Sequence, residues 1–315
     1  MNFEKDVSQN IVEWIEINKI LGVEIIDVYV DKINKEIENV LSYYRNEGFI
    51  RLFHVPIKYK PNRTLWQRRR DHVLTYNDCL YRNIRESEYV IPLDIDEIIL
   101  PKIANNWFDL LKRLTVHGWD PKENSAILIQ NVFFFEFLQD INKFKHKNVH
   151  NEHKIYTKRD DVRIRVRDDL DLGEIELIGN VKGIESAIID YRDSDKYKSR
   201  CKKELPVPKL ARHLVRSAVI SPMGYYSKSW MVTKKVLTAF NHYPLASLGA
   251  MNFAGWSAPF GEVQLNHYKE SCNTTVVGEC ARYGRRALFD TSALRLHNKL
   301  TTALANGYCT GIKNT

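Results

Sequence analysis

The run Tyr89-Val90-Ile91-Pro92-Leu93-Asp94-Ile95-Asp96-Glu97-Ile98-Ile99-Leu100-Pro101 carries the sharpest chemical signal in the chain. An apolar strand pattern delivers Asp94, Asp96 and Glu97 at its carboxyl end, where open α/β sheets place their ligands. Three acids within four residues repel one another and resist burial unless something compensates them. A divalent cation is the natural compensation. Carboxylate oxygens suit magnesium or manganese, which in turn bridge diphosphate oxygens. The bland alternative is a solvated acidic turn after an edge strand. The apolar strand before the acids and the second apolar run after them, Ile98 to Leu100, favour the ligand-binding reading.

These acids need a scaffold, and the first hundred residues supply a regular one. Ser8 stands where it can cap a helix carrying Ile11, Trp14, Ile15 and Leu21, with Gly22 placed to end it. Residues 23–30 form a β-branched strand pattern. Asn34 opens a second helix (Ile37, Val40, Leu41, Tyr44) that Gly48 closes, and 49–55 is the next strand. A helix over 71–86 precedes the acidic segment. Such βαβα alternation predicts a mainly parallel sheet with helices on its faces. Further on, 127–137 reads as one strongly apolar strand, and 139–210 as a charged excursion from the sheet. Strand patterns return at 214–220, 230–236 and 262–267, and a C-terminal helix is expected over 288–304. The expectation is one domain over 8–310: a nucleotide-type half (8–138), a charged insertion (139–210) and a C-terminal acceptor and metal half (211–310).

Composition excludes several classes. The chain has 315 residues, 44% hydrophobic and 27% charged, the balance of a globular protein. Its net charge of +8 suits a polyanionic partner without choosing one. No run approaches the ~18–20 apolar residues of a membrane-spanning helix, and no signal-peptide pattern opens the sequence. The five cysteines include no two-residue-spaced pair, which argues against structural zinc. The basic run Gln67-Arg68-Arg69-Arg70 could meet phosphates, but reads better as a solvated helix face. No nucleic-acid-binding motif accompanies it, so no nucleic-acid partner is expected.

Two enzyme classes place Asp-x-Asp after a strand. Haloacid-dehalogenase-type phosphatases use the first Asp as a nucleophile, but near the start of their domain and with Thr or Val where this chain has Ile98. Metal-dependent nucleotide-sugar transferases of the GT-A type place it after several βα units, as here. The flanking residues favour the second class. Asn10-Ile11-Val12-Glu13-Trp14-Ile15-Glu16, Tyr43-Tyr44-Arg45-Asn46-Glu47-Gly48, Asn77-Asp78-Cys79-Leu80-Tyr81-Arg82 and Leu93-Asp94-Ile95-Asp96-Glu97 resemble glycosyltransferase family 92. Ser227-Lys228-Ser229-Trp230, Asn241-His242-Tyr243-Pro244 and Asn266-His267-Tyr268-Lys269 continue the likeness in order.

The resemblance implies a GT-A-like (Rossmann-like) α/β fold and inverting transfer of a hexose, galactose from UDP-galactose, to a glycan hydroxyl. It implies manganese or magnesium as cofactor, held by Asp94, Asp96 and a histidine from the C-terminal half, His267 first and His242 second. Asn77, Asp78, Asp94, Asp96 and Glu97 become the donor-binding set. An inverting reaction needs a general base, for which Glu136 and Asp140 at the exit of the apolar strand are the candidates. His146, His150 and His153 lie in a lysine-rich stretch that reads as a loop. Relatives carry a membrane anchor and a further strand before the Glu13-Trp14-Ile15 helix. The expectation is therefore an N-terminally shortened member, lumenal at the Golgi membrane, with an open uracil pocket and weak turnover. A phosphatase, or a non-catalytic glycan- or nucleotide-binding relative, is the alternative.

Overall fold

A computed structural model describes residues 7–55, 64–139, 161–165, 174–178, 208–249, 255–272 and 280–306. The chain divides into two compact units, one of 1–131, 221–265 and 306–315, the other of 132–220 and 266–305. The stretch 211–310 expected as a single half is thus shared between them.

The first unit opens with α1 (Ser8–Leu21), which buries Ile11, Ile15, Ile17 and Leu21. Val7, not Ser8, occupies the cap position, and no side chain caps it. Gly22 ends α1 in the left-handed region at φ 95°, so its N–H reaches back to the carbonyls of Asn18 and Lys19. Strand β1 (Ile26–Val30) alternates buried and half-buried side chains. Asn34 then caps α2 (Lys35–Asn46) by accepting from the Ile37 N–H at 2.9 Å. β2 (Ile50–His54) runs parallel to β1, Ile26 opposite Ile50. The third helix, α3 (Leu65–Asn83), starts earlier than its apolar pattern suggests, because Thr64 and Gln67 form a reciprocal capping box.

Two short strands flank the acids: β3 (Tyr89–Val90) and β4 (Glu97–Pro101). After α4 (Trp107–Val116), the apolar run expected as one strand divides into β5 (Ala126–Ile129) and β6 (Asn131–Phe135). Late in the chain come β10 (Lys228–Val232), β11 (Val236–Thr238), β12 (Ala246–Ser247), β13 (Gly255–Ser257) and β14 (Val263–Lys269). The expected mainly parallel sheet is not a single ladder. β1 pairs with β2 alone among the described residues, and a four-stranded sheet has the order β13-β5-β10-β3. In that sheet only β13–β5 is parallel, because β10 returns from late in the chain and inserts antiparallel between β5 and β3. β4 lies beside β14 in a separate ladder. α4 covers this side, joining Leu110 and Leu114 to Ile99, Trp119, Ile127, Trp230 and Leu265 in one buried cluster.

In the second unit, β7 (Asp161–Arg165), β8 (Glu174–Ile178), β9 (Val215–Ser217) and β15 (Arg286–Phe289) form a sheet of order β7-β8-β15-β9. Leu288, expected to open the C-terminal helix, sits in β15, and the helix itself runs His297–Asn306. Aromatic rings fill this unit's interior: Phe133 stands 4.9 Å from Tyr283, and Phe134 stacks on Tyr268 at 5.1 Å.

Two buried carboxylates anchor the first unit. Asp27 is gripped by the Arg51 fork at 2.6 and 2.9 Å and accepts from Asn83 at 2.8 Å. Glu262, 7% exposed, takes a second fork from Arg113 at 2.6 and 2.7 Å and a contact from His117 at 3.0 Å. The Arg113 fork holds the Glu262 carboxyl below the usual range, outweighing its burial. A depressed folded value stabilises the protein above the unfolded value of ~4.3 and is lost as pH falls through the folded one. Glu262→Gln is therefore expected to flatten the acid limb of stability below about pH 4.3, read by urea denaturation across pH. Arg51→Met leaves Asp27 buried without its ion pair and is expected to cost about 3–5 kcal/mol in the same assay.

Candidate active site

Asp94 to Glu97 form a tight turn between β3 and β4. The Glu97 N–H donates to the Asp94 carbonyl at 3.0 Å, and the Glu97 carboxylate reaches back to the Asp94 N–H, also at 3.0 Å. This reciprocal pair turns Glu97 inward, where it is 2% exposed, while the Asp94 side chain stays half exposed and Asp96 half-buried. The Trp14 indole of α1 fixes the turn from below by donating to the Glu97 carbonyl at 3.0 Å.

The charge that compensates the acids is a lysine. Lys228 is completely buried, with Nζ 2.8 Å from Glu97 Oε2 and 3.0 Å from Asp94 Oδ2. Asn241 Oδ1 takes a third N–H. Strand register explains the meeting. β10 sets Met231 opposite Val90, and the same antiparallel register extended sets Lys228 opposite Leu93, beside Asp94. Burial alone would lower the Lys228 ammonium's pKa, but the Glu97 and Asp94 charges outweigh it and raise the pKa above the usual lysine value. The ammonium is therefore permanent at any physiological pH. Tyr76 of α3 lies in the same field: burial, then the Asp94 charge, push its phenol well above the usual range, so it stays a neutral hydroxyl.

Asn77 and Asp78 support this arrangement from α3. The Asn77 amide is spent on the backbone of Ala239, accepting from its N–H at 2.9 Å and donating to its carbonyl at 3.1 Å. That clamp holds the segment that brings Asn241 to Lys228. Asp78 accepts from the Tyr29 hydroxyl and from Arg82 Nε, both at 2.6 Å. Arg82 and Tyr29 hold its carboxyl below the usual range against its burial. His242 turns Nδ1 to the Ser227 carbonyl at 2.8 Å, next to Lys228 in sequence.

The other candidates lie in the second unit. His267 is buried on β14 with its ring 5.1 Å from Phe133. Glu136, in a single 3-10 turn after β6, meets the buried His213 Nε2 at 2.7 Å. His213 Nδ1 faces the Lys209 carbonyl at 3.1 Å. Both ring nitrogens thus meet acceptors, and the hydrogen bonding is complete only when the Glu136–His213 pair carries one extra proton. Burial lowers the His213 imidazole against the pull of Glu136, so that proton is held weakly. Asp140, His146, His150 and His153 lie outside the described residues.

Among the described residues no three His, Cys, Asp or Glu side chains converge as metal ligands. Glu97 is turned onto Lys228, while Asp94 stays half exposed and Asp96 half-buried. Those two fit an ion carried by a diphosphate, which asks the protein for only one or two carboxylates. They do not build a closed cage. Lys228 and Asn241 stood in segments that carry the family likeness but were given no role, and Tyr76 and His213 were not singled out from sequence. The available signal for Lys228 was a lysine opening the otherwise strand-like Lys-Ser-Trp-Met-Val.

The sequence comparison names the class to which this mixed α/β protein belongs. The model of glycosyltransferase family 92 matches residues 1–303, and the chain belongs to that family. It is therefore of glycosyltransferase type, with a sugar donor and an acceptor as its partners, and the phosphatase reading gives way. No match is found among curated proteins.

Breaking the lysine contact tests the geometry. Lys228→Met strands the buried Glu97 carboxylate and is expected to cost about 3–5 kcal/mol. Glu97→Gln in the same chain should recover part of that loss, and a double-mutant cycle in urea measures the coupling.

Proposed function

We propose that this protein transfers a hexose, galactose from UDP-galactose, to a glycan hydroxyl with inversion, using a GT-A-like donor site at the Asp94–Asp96 turn. The observation that supports this reading is the turn itself: Asp94 half exposed and Asp96 half-buried after a strand, over a buried acid already neutralised by Lys228. Manganese or magnesium, when bound there, neutralises charge on the departing diphosphate. Asp94 and Asp96 would hold it. Glu97 and Lys228 fix the turn so that those carboxylates are oriented before the donor arrives, and positional accuracy of this kind feeds directly into rate. Asn77, through Ala239, keeps Asn241 on Lys228.

For the general base we propose Glu136, with Asp140 as the other candidate. Glu136→Gln is expected to lower kcat by about 10²- to 10⁴-fold with KM for the donor little changed. The same loss from Asp140→Asn, with Glu136→Gln silent, would transfer the role.

A non-catalytic relative is the second reading. It draws on β1 pairing with β2 alone among the described residues. UDP-galactose hydrolysis with manganese, run beside a phosphate-ester assay, separates the readings. Sugar-nucleotide hydrolysis that falls by at least about 10²-fold in Asp96→Ala is the expected result. Phosphate-ester turnover without it, or neither activity, would remove the transferase. We also propose a lumenal Golgi location. Cys272 is disulfide-bonded, and such bonds persist in oxidising compartments. Localisation of a tagged chain to the cytosol would overturn this.

A further inference from the structure

We propose that one exposed stripe of α3 and the adjoining β11–β12 hairpin form a docking face for an anionic membrane surface, a role that does not depend on the donor-site reading. α3 leaves Trp66, Leu74 and Tyr81 in solvent, Trp66 at 72% and Leu74 at 69% exposure. Spaced near whole numbers of helical turns, the three line up along one stripe. Arg70 stands within that stripe, and the Arg69 guanidinium lies over the Trp66 ring at 5.4 Å. The stripe continues onto the hairpin, where Asn77 clamps Ala239 and the Tyr81 hydroxyl donates to the Leu237 carbonyl at 2.7 Å. Val236 and Ser247 of the hairpin turn inward, Val236 buried and Ser247 hydrogen-bonded to Ser125. Their neighbours Leu237 and Leu248 therefore turn outward, and Leu245 joins them in solvent.

Large apolar side chains gathered on one surface are costly in water, and a contiguous patch of that kind marks a binding face. Charge decides the partner. Between 65 and 77 the helix carries Arg68, Arg69 and Arg70 against the single acid Asp71, and 233–249 carries Lys234 and Lys235 with no acid. A second copy of the chain would bring like charge to like, which is disfavoured. Anionic headgroups present the opposite charge over a broad surface, where each lysine or arginine contributes about fivefold in binding. Below them the acyl boundary takes up the leucines, while tryptophan and tyrosine rings settle at the headgroup level. His72 and Tyr76 lie on the other side of α3 from Leu74, in the field of Asp94 and Lys228, so the docking stripe faces away from the acidic turn.

Flotation of the whole chain with vesicles of equal parts phosphatidylcholine and phosphatidylserine, beside vesicles of phosphatidylcholine alone, provides the test. The anionic vesicles should bind at least about tenfold tighter than the neutral ones, and less tightly as salt rises. Trp66→Ala with Leu74→Ala should weaken that binding at least about tenfold, because inserted apolar surface is lost. Arg69→Glu with Arg70→Glu should weaken it by a similar factor through charge alone. All four side chains are exposed, so circular dichroism should return the parent's spectrum. Phe108→Ala with Val116→Ala, equally exposed on α4, should leave binding unchanged. Binding that is absent, equal on both vesicles, indifferent to either α3 variant, or lost as much in the α4 variant would overturn the proposal. A dimer that dissociates in Trp66→Ala, without vesicle binding, would overturn it and give the face to self-association.

Discussion

A buried ammonium between two carboxylates organises the first unit. Lys228 opens β10, the strand that joins β5 to β3, and its Nζ lies against Glu97 at the start of β4 and Asp94 at the start of the preceding turn. Taking an ammonium and a carboxylate out of water is costly, and the cost is offset only when geometry and hydrogen bonds are complete. Every neighbour therefore has a defined task. Trp14 pins the Glu97 carbonyl, Asn241 fills the lysine's third direction, and Asn77 fixes the backbone that carries Asn241. Elements distant in sequence, α1, α3, β4 and β10, are tied to one point.

That point also divides labour among the acids. Glu97 is structural: buried, paired and bent back onto the turn's own backbone. Asp94 is shared, with one oxygen on the lysine and a side chain still half in solvent. Asp96 is half-buried. The acid that stabilises the unit thus stands next to the two proposed to meet the donor. The core beneath, Ile99 with Leu110, Trp119 and Trp230, keeps the turn from sagging into the unit.

Polar contacts of the same kind recur elsewhere in the molecule. Asp27 with Arg51 and Asn83, and Glu262 with Arg113 and His117, are both buried carboxylates held by an arginine fork, a geometry a lysine cannot supply. Glu136 with His213 differs, because a buried imidazole is its partner and one proton completes the pair.

Local chemistry was enough to read α1, α2 and the acidic turn. Asn34 as a cap, Gly22 and Gly48 as stops and the apolar spacing of α1 and α2 act within a few residues, where sequence alone decides conformation. The same locality made Asp94, Asp96 and Glu97 visible, and the ordered motifs around them carried the family. Strand pairing was not legible in this way. Nothing local says that β10 inserts antiparallel between β5 and β3, or that 127–137 divides into two strands in different sheets, because pairing is settled by partners a hundred residues away. The compensation of the acids followed suit. Sequence posed the charge problem and suggested a metal; the register of β10 supplied Lys228, a cation 134 residues beyond Asp94 that only the tertiary structure could bring to it.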